Sequence, residues 1–501
     1  MIALAWFVLY SWPIVALVFY KKLSLPMALC LTILGGYILL PNAIGVNLPV
    51  LPGFDKHNTF VLCAVVLTMV FVRLKPEGDM VLPGWIPRDP VVRILLVMLG
   101  LSFFATAATN RDVQVFGPVV LPGLSFYDAF SEAMTFAIIV APFFLARKVL
   151  SSPEAQRTLL MVLALSGLIY SVPALYEVRM SPHLHSLIYG YWHDAFMFYA
   201  RGNGFRPAVF MGNGLELGIY TVYSLIAIAC LMRVSKDKSR LLWLFALVWL
   251  SLSLVLYKTL GALLIALVFL PCVLMFKPRT QLLMGACIAV TILTYPMLRA
   301  AHVIPVEEAL ALAEQVSPQR AASLNTRFEH EEVLLAKAQE RPLFGWGSWG
   351  RNRTYTAWGQ DTSLTDGQWI VQIGTGGWLR YIAIFGLLCW PVIKMFLFYR
   401  RHVGRITAAL VLVLCAKLAD MIPNAGWIPV IWLITGSMMG QMERLAGSKP
   451  VASEQRTRMA SRYARSFPEK EARNGQRDAP PMDLPQRLAY KRPHTVQGYR
   501  K

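Results

Sequence analysis

The chain has 501 residues, of which 56% are apolar and only 15% charged, with a mean hydropathy of +0.51. Those values exclude an ordinary soluble domain and predict a polytopic membrane protein. The net charge of +20 does not point to nucleic acid: 14 Lys and Arg against 5 Asp and Glu, a balance of +9, lie between Arg444 and Lys501, and most of the remainder falls in short loops.

Apolar runs long enough to cross about 30 Å of hydrocarbon recur as far as about position 443. They predict an all-α transmembrane bundle with spans near 2–20, 25–43, 59–73, 91–108, 127–146, 157–176, 210–232, 241–257, 260–276, 281–298, 368–397, 406–423 and 426–442. Met1 to Tyr20 lacks a basic start and a small-residue cleavage site, so it is expected to be retained as the first span. All seven cysteines fall within apolar runs, which predicts neither a disulfide framework nor a thiolate metal site.

Basic residues set the direction. Lys21-Lys22, Arg73 with Lys75, Arg147-Lys148, Arg233 to Arg240, Lys277 with Arg279, and Arg400 to Arg405 occupy alternate loops. Short basic loops tend to remain cytoplasmic, so residues 177–209 and 300–367 are expected on the outer side. The transmembrane domain is read as 1–443. The tail, 444–501, has few large aliphatic residues and is expected to be disordered in the cytoplasm, touching anionic lipid head groups.

Within the larger outer loop, Thr326-Arg327-Phe328-Glu329 has the pattern of a capping box, and the helix it starts should run to Arg341 and stop at Pro342. Arg327, His330 and Glu331 then share one face. The stretch "RPLFGWGSWGRN", 341–352, follows as a tight glycine-rich turn carrying Trp346 and Trp349, whose indoles suit the membrane boundary. The aromatic segment "LHSLIYGYWHDAFMFYA", 184–200, is expected along the interface. His183, His185 and His193 belong to that setting, and no metal site or cofactor is expected.

Ionisable groups near apolar spans mark function. Arg206 lies just outside the seventh span, Lys258 in a short outward turn, and Arg327 in the large loop. Converging, they would form a clamp for a diphosphate; taken singly, Arg206 and Lys258 also read as boundary anchors. Asn213, Glu216, Trp346 and Trp349 are candidates for the walls of that site. Lys417 and Asp420, three residues apart, should neutralise each other. No phosphate-binding loop for a cytosolic nucleotide is present.

Three blocks resemble the O-antigen ligase and Wzy-type polysaccharide polymerase superfamily of bacterial inner-membrane proteins. They are "FRPAVFMGNGLELG" (205–218), "LNTRFEHEEVLLAKAQERPLFGWGSWGRN" (324–352) and "TDGQWIVQIGTGGWLRYIAIFGLL" (365–388). The resemblance implies a metal-independent glycosyltransferase that acts at the periplasmic face on an undecaprenyl-diphosphate-linked glycan and passes sugar to a glycan acceptor, with chain-length or export proteins as further partners.

Where ligases of that superfamily carry a His, this chain has Asp366-Gly367, and where an Arg follows a Ser it has Lys258-Thr259. The absent His favours a polymerase over a ligase acting on lipid A core or protein. It leaves Asp366 or His330 as the base. A carboxyl with a reference pKa of about 3.9, against about 6.5 for His, is the weaker base unless burial raises it. A transporter is the reading from another class; it predicts broken helices and internal repeats.

Overall fold

The computed structural model describes residues 2–46, 53–74, 81–191, 199–200, 204–316 and 318–465. Its helices are α1 Ile2–Lys22, α2 Leu25–Leu39, α3 Lys56–Leu74, α4 Pro90–Thr109, α5 Phe126–Val149, α6 Pro153–Met180, α7 Leu184–Tyr189, α8 Gly214–Val234, α9 Asp237–Leu256, α10 Leu260–Met275, α11 Pro278–Ala300, α12 Val306–Val316, α13 Pro318–Glu340, α14 Gln368–Lys394, α15 Arg405–Asp420 and α16 Pro429–Arg465. Two short hairpins join them, β1 (Gly45–Val46) with β2 (Phe54–Asp55) and β3 (Gln114–Phe116) with β4 (Val119–Leu121). Among the described residues, nine helices are long and apolar enough to cross a membrane, with shorter apolar helices at α2 and α10. The fold is the expected all-α polytopic bundle, and each of the thirteen expected spans is helical.

Local chemistry accounts for where helices begin. The Asp89 carboxylate accepts from the backbone N–H of Val91 and Val92 ahead of Pro90, Ser152 caps α6, and Ser125 with Asp128 forms a reciprocal box at the start of α5. The expected box at Thr326 does not form. The helix starts at Pro318, so Thr326 is interior and its hydroxyl donates to the Ala322 carbonyl at 3.0 Å, the usual resort of an in-helix threonine. The seventh span begins at Gly214 rather than 210, because Asn213 caps it.

Residues 1–446 form one compact unit. α8 lies at its centre, with every residue from Leu217 to Leu231 buried, whereas α9 buries only Leu247, Leu250, Ser253 and Leu254 and offers the rest of its surface to lipid. With no water to drive apolar helices together, close contact depends on small residues. Gly436 accordingly sits where a Cβ would come 2.0 Å from the Phe143 carbonyl oxygen. The second unit, 447–501, is described only as far as Arg465, where it is helical. The remainder of the tail lies outside the described residues.

α14 is broken. Gly377 has φ 62° and ψ −167°, and the stretch 342–347 pairs with the broken backbone. Trp346 and Gly347 donate to the carbonyls of Gly374 and Thr375 at 2.8 and 2.9 Å, while Trp378 and Leu379 donate to those of Pro342 and Leu343 at 2.8 and 3.2 Å. Backbone groups freed at membrane depth must be satisfied by protein. The "RPLFGWG" turn does this, which is why Gly345, with φ 66°, is packed against the peptide of Gly376.

Candidate functional site

The end of the bundle that carries 300–367 gathers two groups of charged side chains. The first surrounds the N-terminus of α8. Glu177, 1% exposed, accepts from the backbone N–H of Leu184, Ala208 and Val209 at 3.0, 2.9 and 2.8 Å, and so fixes the irregular segment before α8. Arg206 crosses that segment so closely that a Cβ on Gly214 would stand 2.3 Å from its Cγ. Lys258, at φ 57° in the α9–α10 turn, brings its Nζ within 2.8 Å of where a Cβ on Gly204 would lie. Glu216 accepts from the Gly212 N–H at 2.8 Å. Arg206, Lys258 and Glu216 thus all border the segment 204–214 that leads into α8. Buried Lys56, which donates to the Phe210 carbonyl at 2.6 Å, and His57 lie within electrostatic reach of the Glu216 carboxylate.

The second group lies on α13 and at the mouth of α14. Arg327 Nε is 3.2 Å from Asp366 Oδ2, and its Nη1 donates to the Pro423 carbonyl at 3.3 Å. Gln368 holds this corner: its N–H donates to the Met421 carbonyl, and its side-chain oxygen accepts from Gly426. Beneath the exposed pair, Arg299 Nε lies 3.8 Å from Glu331 Oε2, both side chains nearly enclosed, and Trp369 Nε1 donates to Glu331 Oε1 at 3.4 Å. Burial pushes the Glu331 carboxyl up to about 7, with Asp366 adding to the rise against the pull of Arg299, Trp369 and Arg327.

Tyr223 lies further along α8. Its buried hydroxyl, which has no hydrogen-bond partner among the described residues, is within electrostatic reach of both Glu216 and Asp420. Asp420 is paired with Lys417 at 2.8 Å, as expected, and accepts from Asn424 Nδ2 at 2.7 Å.

Several sequence-based expectations change at this level. Asn213 is the cap of α8, its oxygen accepting from Leu215 and Glu216 N–H groups at 2.9 and 3.0 Å, a local role that the sequence reading did not include. Trp346 is half-buried, donates to the Lys337 carbonyl at 2.8 Å and is covered by Arg341 at 4.0 Å, so it pins the turn to α13. Trp349 is 69% exposed. Asp366 is 42% exposed and ion-paired with Arg327; His330 is half-buried beside Glu331 on α13. The carboxyl that burial does raise is Glu331. Sequence spacing put it on the right face, but its partner Arg299 arrives from a different helix, a meeting that no local pattern records. Glu177 and Lys56 were missed for the same reason.

Asp128 and Glu132, charged residues of α5 that could line a translocation path, have partners within the protein. Asp128 belongs to the α5 box, and Glu132 pairs with fully buried Arg380 at 2.6 Å and accepts from Ser348 at 2.6 Å. His185 is buried, with Nε2 accepting from the Asn42 N–H at 3.2 Å and Nδ1 3.0 Å from the Tyr191 carbonyl; His193 lies outside the described residues. Compared with known protein families and with curated proteins, the chain matches neither a family model nor a characterised relative.

Proposed function

We propose that this protein is a glycan transferase that moves sugar from a lipid-diphosphate donor to an acceptor hydroxyl, on the periplasmic side of a bacterial inner membrane. The observation that carries the reading is that cations stand in two places at one end of the bundle, Arg206 and Lys258 along the segment that leads into α8, and Arg327 with buried Glu331 on α13. Cations favour an anion, and near hydrocarbon each contact is strengthened. The resemblance of 205–218, 324–352 and 365–388 supplies the donor class, an undecaprenyl-diphosphate-linked glycan, and the direction toward polymerisation.

In this reading the bond between the anomeric carbon and the diphosphate oxygen breaks, and the diphosphate leaves with the electron pair. Arg206, Arg327 and Lys258 stabilise the growing negative charge, a contribution that reaches 10² or more for a single well-aimed donor. The acceptor oxygen bonds to the same carbon, inverting it. Its proton passes to a base, for which Glu331 joins Asp366 and His330; general base catalysis is typically worth 10² to 10⁴.

One observation favours transport, the broken helix α14, since transporters place sites at such breaks. Here the freed peptide groups are engaged by residues 342–347, so the break supports a docked loop.

Purified protein in liposomes with a lipid-diphosphate oligosaccharide separates the two. Longer glycans formed without any ion gradient are the expected result. Movement of the donor across the bilayer with no new glycosidic bond would establish the transporter instead.

A further inference from the structure

At the opposite end of the bundle a cavity of about 400 Å³ opens between α3, the 81–86 loop and the end of α5, lined by Met69, Val70, Val72, Arg73, Trp85 and Lys148. Its floor is built. Lys148 is buried, donates to the Leu82 carbonyl at 2.8 Å and lies 4.8 Å from the Trp85 ring centre, while Arg147 holds the same loop through the Gly84 and Trp85 carbonyls at 3.1 and 3.2 Å. The neighbouring carboxylates are committed elsewhere: Glu443 to Arg147 and Asp89 to Lys394. No carboxylate lines the cavity among the described residues, and neither Arg73 nor Lys148 has an ion-pair partner there. Two cations therefore face a space whose other wall, Met69, Val70 and Val72, is hydrocarbon.

We propose that this cavity binds an anionic phospholipid, its phosphate between Arg73 and Lys148 and its acyl chain along Met69 and Val70. The arginine fork matches two phosphate oxygens, the ammonium adds a point charge, and the indole of Trp85 suits the head-group level. A zwitterionic lipid fits less well because its own cation would meet two others. The site is independent of the chemistry at the loop end.

Trp85 is the reporter. The full-length protein is reconstituted with brominated phosphatidylglycerol or brominated phosphatidylcholine, and the quenching of Trp85 is taken as the difference from Trp85→Phe. Phosphatidylglycerol should quench more strongly at equal mole fraction. Arg73→Ala, at an exposed position, should lower its apparent affinity about fivefold, the worth of one cation beside an anionic surface. Equal quenching by the two lipids, or a phosphatidylglycerol affinity unchanged in Arg73→Ala, overturns the proposal. So does loss of the preference on adding millimolar inorganic phosphate, because the site would then serve a free anion.

Discussion

Glu331 is enclosed with Trp369 and Arg299, and burial keeps its carboxyl near 7 instead of the usual 4.5. As a base it works only when ionised, so turnover should rise as pH increases through about 7, and Glu331→Gln should flatten that limb of the rate profile. A rise of the same shape in the variant would remove Glu331 from this role. Stability moves the other way. Between the ordinary and the raised pKa the folded state binds more protons than the unfolded one, so this group's contribution is complete below about 4.5 and is lost as pH rises through about 7. The unfolding midpoint of Glu331→Gln, measured against wild type, should therefore gain as pH is raised; a pH-independent difference would contradict the account. Asn213→Ala should cost about 1 kcal/mol, the loss of one helix cap, while Asn213→Asp retains most of the stability. Turnover per folded molecule should not change, and a large fall in kcat would return Asn213 to the substrate wall.

Helix α14 and the 342–347 turn depend on each other. The glycines of "GTGG" and "GWG" were visible in the sequence, but their complementarity was not, because a break and the loop that satisfies it are separated along the chain. A Cβ on Gly377 would meet the Leu343 carbonyl carbon at 2.4 Å, at a φ of 62° that a branched residue avoids. Gly377→Val should therefore lower the thermal midpoint and make the 342–347 turn newly accessible to protease, and a midpoint equal to wild type would show that the turn is not fastened there. One turn further, Arg380 and Glu132 hold α14 to α5, with Arg380 fully buried. Replacing either alone should cost about 3–5 kcal/mol by stranding its partner, whereas Arg380→Met with Glu132→Leu should recover most of that loss. Additive losses in the double variant would show that the pair is not coupled.

At the level of the molecule, the helical bundle was readable because a run of apolar residues the length of a bilayer has few alternatives. All thirteen segments are helical; the errors lie at ends such as the start of α13, where a box-like pattern fell inside a longer helix. The site was half legible. Position beside the apolar spans marked Arg206, Lys258 and Glu216, and the loop helix marked Arg327 and Glu331, but the partners Glu177 and Arg299 arrive through tertiary contacts. Sidedness rests on the alternating basic loops. In a cysteine-free background, Trp358→Cys, at a position 81% exposed, should react with a membrane-impermeant maleimide in intact cells, and Lys238→Cys only after permeabilisation. The reverse pattern would put the proposed site on the wrong face.

The central claim is that Arg206 and Arg327 act on one departing diphosphate. Steady-state turnover of a lipid-diphosphate glycan donor by reconstituted Arg206→Ala, Arg327→Ala and the double variant tests it most directly. Each single variant, folded and inserted, should lose at least about 100-fold in kcat/KM, and the double variant less than the product of the two. Wild-type turnover in either single variant would contradict it.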